Sequence, residues 1–266
     1  MKKLKNKFII VIPTFNAEDL IEECLMSVIT QDFDDLGVII RDDLSTDGTR
    51  NKIKSVLGFE DEGNEHYVNI MGKDVLFIEN TEKLYPVGNT YESVINYVDN
   101  SESIIGVVDG DDKLSTSKAL TKIYEIYQKE DKWLVWSQHR KSTGGIGESK
   151  PLPSDETIYA GRNYWSATHF RTSKAFLFYM LDVNDLKDPF IPNSYFTYAG
   201  DAAFIFPFCE MCGNEKSYFL DEVLYTYNCH LPTNEHNKNV NDAIKYGSYI
   251  RSNGKKYKKL NNYAKV

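Results

Sequence analysis

Between Phe8 and Trp136 the chain alternates two hydrophobic patterns. Short continuous apolar runs occur at Phe8–Ile12, Val38–Ile40, Val75–Ile78, Ile104–Val108 and Trp133–Trp136. Runs of this length without polar alternation read as strands buried on both faces, as in a parallel sheet. Between them, apolar residues recur every three or four positions. Leu20, Ile21, Cys24, Leu25 and Val28 predict a helix over Ala17–Ile29, and a second helix runs through Ile53, Val56 and Leu57. Thr90–Val98 predicts a third. Leu120, Ile123, Tyr124, Ile126 and Tyr127 predict a fourth over Ser115–Lys129. Residues 58–73 are polar without a clear period and read as a long loop, and Tyr85–Asn89 reads as a turn. The result is βαβαβαβαβ. This is an α/β chain with a doubly wound, mostly parallel sheet and right-handed crossovers.

The alternation stops after Ser137. Residues 140–160 are rich in Gly, Ser, Thr and Pro and read as a mobile loop. Helices are expected over Ser173–Leu181, over Ala199–Met211 with Gly200-Asp201 at its start, and over Val240–Ile250. Tyr218–Leu220 and Val223–Tyr227 read as a β-pair turning at Asp221-Glu222, and Asn228–Asn239 as a loop. The expected organisation is a doubly wound half (1–137), a smaller mixed half of the same domain (138–250) and a tail (251–266). The tail carries six Lys/Arg and no acid, so it is expected to be weakly ordered unless it docks.

Composition narrows the function classes. The chain has 266 residues, enough for a sizeable core. Its net charge of -8 argues against non-specific nucleic-acid binding, which needs a basic surface. Four cysteines are too few for a disulfide scaffold, and Cys209 and Cys212 have no second CxxC beside them. They read as small buried side chains of a helix rather than as a zinc or redox pair. No apolar run reaches the roughly 20 residues that span a bilayer. The basic segment Met1–Lys7 is followed by an apolar run that ends at Pro13, too short for a signal peptide. An intracellular, cytoplasmic protein is expected.

The chemistry gathers at strand ends. The run Ile104–Val108 ends in Asp109-Gly110-Asp111-Asp112. Ligands of open α/β sheets bind beyond the carboxyl ends of the strands. Several acids there repel one another, and a hard cation such as Mg²⁺ or Mn²⁺ would relieve that cost. A solvated Asp-Gly turn is the other reading of these four residues. The first strand runs into Pro13-Thr14-Phe15-Asn16 and the second into Arg41-Asp42-Asp43, with Ser45, Thr46 or Asp47 available to cap the following helix.

Taken in order, these motifs resemble family 2 glycosyltransferases, which adopt the GT-A fold. Asp42-Asp43-Leu44-Ser45-Thr46-Asp47-Gly48-Thr49 is close to that family's D-D-x-S-x-D-G-T, and Asp109-Gly110-Asp111 to its D-x-D. The resemblance covers the first half of the chain well and the second half loosely. It implies an inverting, divalent-cation-dependent glycosyltransferase. The donor is a nucleotide-diphospho-sugar, UDP-linked by preference, and the acceptor a hydroxyl, as on a glycan. It implies that Thr14, Asn16 and Asp43 hold base and ribose, and that Asp109 lies near the ribose. Asp111 ligates Mn²⁺ or Mg²⁺, with Asp112 a second ligand or an orienting residue. Asp201 matches the family's catalytic base, although Gly200 stands where a Glu is usual; a helix-N-terminal acid stabilised by the macrodipole is the other reading. His230 is a further metal candidate, His236 a weaker one, and Asn89 a candidate near the donor sugar. Trp165, His169 and Arg171 fall where the acceptor region would lie.

Rival readings are separable. A sugar-phosphate nucleotidyltransferase needs a glycine-rich basic loop after the first strand, which Pro13–Asn16 is not. A dinucleotide-binding dehydrogenase needs a G-x-G-x-x-G that is absent there. A non-catalytic sugar-nucleotide or carbohydrate-binding module would bind donor without releasing nucleoside diphosphate. The basic tail offers a peripheral contact to an anionic membrane.

Overall fold

The computed structural model describes residues 2–59, 63–229 and 239–261. Its first strand, β1 (Phe8–Thr14), is buried at every position. Alternate side chains enter opposite cores: Phe8, Ile10 and Ile12 one, Ile9 and Val11 the other. That two-residue period is why a run without polar alternation must sit between two helical layers. β2 (Leu36–Asp42), β4 (Lys73–Glu79) and β5 (Ile104–Val107) extend the parallel sheet around it. On one face lie α1 (Ile21–Ile29), α2 (Thr49–Leu57) and α4 (Ala119–Lys129). On the other lie α3 (Tyr85–Tyr97) and α7 (Gly200–Cys212), itself buried from Ala202 to Cys212. Cys209 and Cys212 are buried and free, as the sequence suggests.

Among the described residues the sheet has nine strands in the order β3-β4-β2-β1-β5-β8-β7-β9-β6. Several elements differ from the sequence reading. The expected loop 58–73 contains β3 (Glu65–Ile70), antiparallel to β4 at the sheet edge. An edge strand with one wet side carries too few apolar positions to stand out. The expected turn Tyr85–Asn89 is the first turn of α3; Pro86 suits it because that turn needs no N–H there. The expected helix from Ser173 is instead β8 (Arg171–Lys174), followed by the short α6 (Phe176–Tyr179). β8 lies antiparallel between β5 and β7 (Leu134–Lys141). The expected β-pair is one long strand, β9 (Ser217–Tyr227), parallel to β7 and shifted by a bulge near Gln138. β6 (Lys113–Leu114) adds antiparallel to β9.

The loop expected over 140–160 is shorter: β7 runs to Lys141, residues 142–154 contain no helix or strand, and α5 (Asp155–Ala160) takes the rest. α8 (Val240–Asn253) packs on α7. The tail docks as far as it is described. The Leu260 N–H donates to the Met211 carbonyl (2.9 Å), and the Tyr257 hydroxyl donates to Asp185 (2.5 Å). The Tyr257 N–H donates to Glu210 (2.9 Å), whose buried carboxylate also takes two bonds from Arg162 (2.8 and 2.9 Å). Among the described residues no helix is long and apolar enough to cross a membrane.

Candidate active site

The parallel strands deliver their carboxyl ends to one edge, and the motif residues converge there. β1 ends at Thr14, hydrogen-bonded to the β2 end through Asp43 N–H (2.9 Å). Asn16 adopts a positive φ of 50°, a conformation Asn tolerates. Its N–H donates to Ser45 Oγ (2.9 Å) and its Oδ1 accepts from the Thr46 N–H (2.8 Å), so the first two strand-end loops form one unit. Asp47 accepts from the Thr49 N–H (3.1 Å) and caps α2.

Asp43 is buried and saturated. Its Oδ1 accepts from Leu84 N–H (2.8 Å) and Asn80 Nδ2 (2.9 Å). Its Oδ2 accepts from Tyr85 N–H (3.0 Å) and pairs with Lys83 (3.2 Å). Four donors fill the lone pairs a carboxylate has. Asp43 thereby caps α3 from across the sheet. Lys83 is a partly exposed partner, and its ammonium also lies over the exposed Phe15 ring. Asn89 is buried in α3 and accepts from Asn80 Nδ2 (2.7 Å), while Asn80 Oδ1 accepts from Arg41 Nε (3.0 Å). Asn80 escaped the sequence reading. It sits just past β4, the third parallel strand, so the strand-end rule that singled out Asp43 and Asp109 reaches it too.

The acid loop follows β5. The Gly110 N–H donates to the Pro13 carbonyl (3.0 Å), which brings the loop against β1. A Cβ at Gly110 would collide with Thr14 Oγ1 and lie 3.2 Å from its Cα, so only glycine fits. Asp112 is buried. Its carboxylate accepts from the Tyr225 hydroxyl (2.8 Å) and the Asn228 N–H (2.7 Å). Tyr225 in turn accepts from the Asp109 N–H (3.1 Å), and Asn228 Nδ2 donates to the Asp111 carbonyl. The end of β9 therefore holds the acid loop from behind. In the sequence that end only marked the approach to His230.

Oxygens of Asp109 and Asp112 and a ring nitrogen of His169 lie within 4.8 Å of one another. Asp111 is not in this cluster, and His230 and His236 lie outside the described residues. His169 stacks on Tyr225 (4.8 Å) and Tyr227 (5.1 Å), which fixes its ring. Burial first, then the neighbouring Asp111, pushes Asp109 up to about 7, with Arg171 partly opposing. Burial raises Asp111, and burial followed by repulsion from Asp111 and Asp109 raises Asp112 well above the usual carboxylate range. Acids this reluctant to ionise match a site completed by a cation. Thr14 Oγ1, buried beside the loop, has no partner among the described residues. Two carboxylates and an imidazole are a donor set that fits Mn²⁺ or Mg²⁺, imidazole favouring the former.

Asp201 lies in the first turn of α7. It is partly exposed, with Oδ1 accepting from the Ala202 N–H (2.8 Å) and Oδ2 from Arg171 Nη1 (2.6 Å). Gly200 is required by packing: a Cβ there would stand 2.8 Å from Val87 Cβ of α3. Trp165 packs edge-on against Phe206 of α7 (5.6 Å), and so contributes to that core.

Comparison with known proteins follows the same lines. The model of the family described as glycosyl transferase family 2 matches residues 9–186. The GalNAc(5)-diNAcBac-PP-undecaprenol beta-1,3-glucosyltransferase of Campylobacter jejuni is 38% identical over 50 residues, 19% of this chain and 16% of that protein. The structure of S. aureus TarS 1-349 in complex with UDP-GlcNAc superposes with a TM-score of 0.60 at 17% identity, over 85% of this chain and 59% of that one. The glucosyl-3-phosphoglycerate synthase from Mycobacterium tuberculosis, in complex with Mn²⁺, UDP-glucose and phosphoglyceric acid, superposes with a TM-score of 0.52 at 15% identity, over 85% and 73%. The two structures share the GT-A fold with this chain. The chain thus spans about 60% of the TarS chain it matches and a small part of the curated relative.

Proposed function

The chain belongs to glycosyl transferase family 2, and from that premise we propose that it transfers a sugar from a nucleotide-diphospho-sugar to an acceptor hydroxyl, with inversion and with a divalent cation. The observation that carries the reading is that Arg171, paired with Val107 at the root of the acid loop Asp109–Asp112, bonds the carboxylate of Asp201 and so brings it to the same sheet edge.

In this reading the linked loops of Thr14 and Asn16 receive base and ribose. Asp43 is reached by exchange of Lys83, and Asn89 stiffens the sugar side through Asn80. Asp109 borders the ribose. Asp109, Asp112 and His169, whose ligand atoms converge, are the candidate cation ligands, with Asp111 beside them in the acid loop and His230 a candidate from the sequence alone. Bound Mn²⁺ or Mg²⁺ would offset the charge of the departing nucleoside diphosphate. Asp201 accepts the acceptor's proton as its oxygen displaces the diphosphate in line at the anomeric carbon. Positioning and general-base chemistry suffice, with no covalent nucleophile. A UDP-sugar as donor is supported by the UDP-sugars in the two similar structures, Mn²⁺ by the ion in one of them, and a glycan acceptor by the name of the Campylobacter protein.

The test is nucleoside-diphosphate release from a panel of UDP- and GDP-sugars with Mn²⁺, with Mg²⁺ and with EDTA. Slow release from one donor, abolished by EDTA, is the expected result. Cation-dependent UDP binding without release would make the chain a binding module.

A further inference from the structure

Arg171 is a buried guanidinium in the middle of the sheet edge. Its side chain is 8% exposed, against 37% for Asp201. β8, which carries it, is hydrogen-bonded on both sides: Arg171 pairs with Val107 of β5 and with Trp136 of β7. Val107 is two residues before Asp109. Arg171 is therefore tied through the backbone to the root of the acid loop, on a strand whose neighbours prevent it from shifting.

Its two terminal nitrogens face different parts of the site. Nη1 donates to Asp201 Oδ2 (2.6 Å) and Nη2 lies 3.4 Å from His169 Nδ1. Arginine suits such a place, because its planar fork loses little freedom per bond formed and stays charged when buried. Among the described residues the other hydrogen bond to the Asp201 carboxylate comes from the N–H of Ala202, the next residue on α7. α7 itself reaches the sheet edge through packing on α3, a contact between separate elements.

We propose that Arg171 is a positioning residue: it fixes the carboxylate of Asp201 relative to the acid loop, so that base and donor stand at one set separation. The proposal rests on the transferase reading above, with Asp201 as base. The guanidinium pins Oδ2 and the Ala202 N–H orients Oδ1, so both oxygens of the carboxylate are held. An acceptor oxygen can attack in line only if its proton is taken from the correct side. A displacement of about 1 Å in such a group can cost about a hundredfold in rate.

The test compares wild type with Arg171→Ala, Arg171→Lys, Asp201→Asn and the Arg171→Ala/Asp201→Asn double variant. UDP affinity is measured calorimetrically with Mn²⁺, and kcat by UDP release from the active donor. Arg171→Ala is expected to keep UDP affinity within about threefold while kcat falls about a hundredfold. Arg171→Lys should fall between. Added guanidinium ion should restore Arg171→Ala at least in part and leave Asp201→Asn unchanged, and the double variant should be no slower than Asp201→Asn. If Arg171→Ala does not fold, Arg171→Lys and its double with Asp201→Asn carry the same comparison. The proposal is overturned if the arginine variants keep wild-type kcat. It is also overturned if the two losses multiply in the double variant, or if UDP affinity falls while kcat stays. A wild type that binds UDP and releases none from any donor overturns the transferase reading, and this proposal with it.

Discussion

Three acids within four residues would be expected to bind protons or a cation, and the structure says which cost is involved. Burial, then the neighbouring Asp111, pushes Asp109 up to about 7 in the folded chain, against about 3.9 in an unfolded one. Between these values the folded chain holds a proton the unfolded chain has released, so stability falls as pH rises through that window. Asp111 and Asp112 shift the same way. Asp47, Asp74, Asp155 and Asp188 have lowered values, and their contribution is lost only as pH falls below the usual carboxylate range. His139, depressed by burial and nearby cations, opposes the trend below about 6.5. The informative quantity is thus a difference between variants. In EDTA, thermal unfolding of wild type should lose more stability from pH 5 to 7.5 than Asp109→Asn, and Mn²⁺ should stabilise most at the higher pH. Equal slopes for the two proteins would mean that Asp109 ionises in the folded state without penalty. At this scale the residue types were legible from sequence, but their partners were not. Tyr225 meets Asp112 across 113 positions, and Asn80 meets Asp43 across 37.

Elements matter through where they end. α7 presents Asp201 only because its first residue has no side chain. Adding one at Gly200 drives a Cβ to 2.8 Å from Val87 Cβ on α3. Gly200→Ala should cost about 1–3 kcal/mol of stability, as overpacking does. It should also lower transfer at least tenfold with UDP affinity kept, because the helix start moves and the donor loops do not. Val87→Ala in the same chain should recover part of both, as read by denaturant unfolding and by UDP release. Transfer unchanged in Gly200→Ala would show that the start of α7 tolerates movement. The parallel strands and their helices were legible because burial on two faces leaves a dense apolar signature. β3 and β8 were not. The first is an edge strand, and the second is four residues long, held by pairing with β5 and β7 rather than by its own pattern.

On the scale of the molecule, two cores flank one sheet, and the basic tail closes the one around α7. Lys255, Lys256 and Lys259 face Asp182 and Asp185, Glu210, and Asp155 and Glu215 within the chain, so those charges are engaged at home. Removing residues 255–266 should lower the urea-unfolding free energy by roughly 2–3 kcal/mol, from the lost burial of Tyr257 and Leu260 and the bonds to Glu210 and Met211. An unchanged midpoint would show that the docked tail contributes nothing in solution. What the sequence determined by itself is the layered α/β plan and the edge where chemistry gathers. Parallel strands all point their carboxyl ends the same way, so motifs at successive strand ends must meet. Tertiary structure alone decided that Arg171 joins Asp201, that His169 approaches Asp109 and Asp112, and that β9 holds the acid loop. Those contacts depend on the antiparallel insertion of β8 and on strand register. Register is set by pairing between distant segments, which no local pattern of residues records.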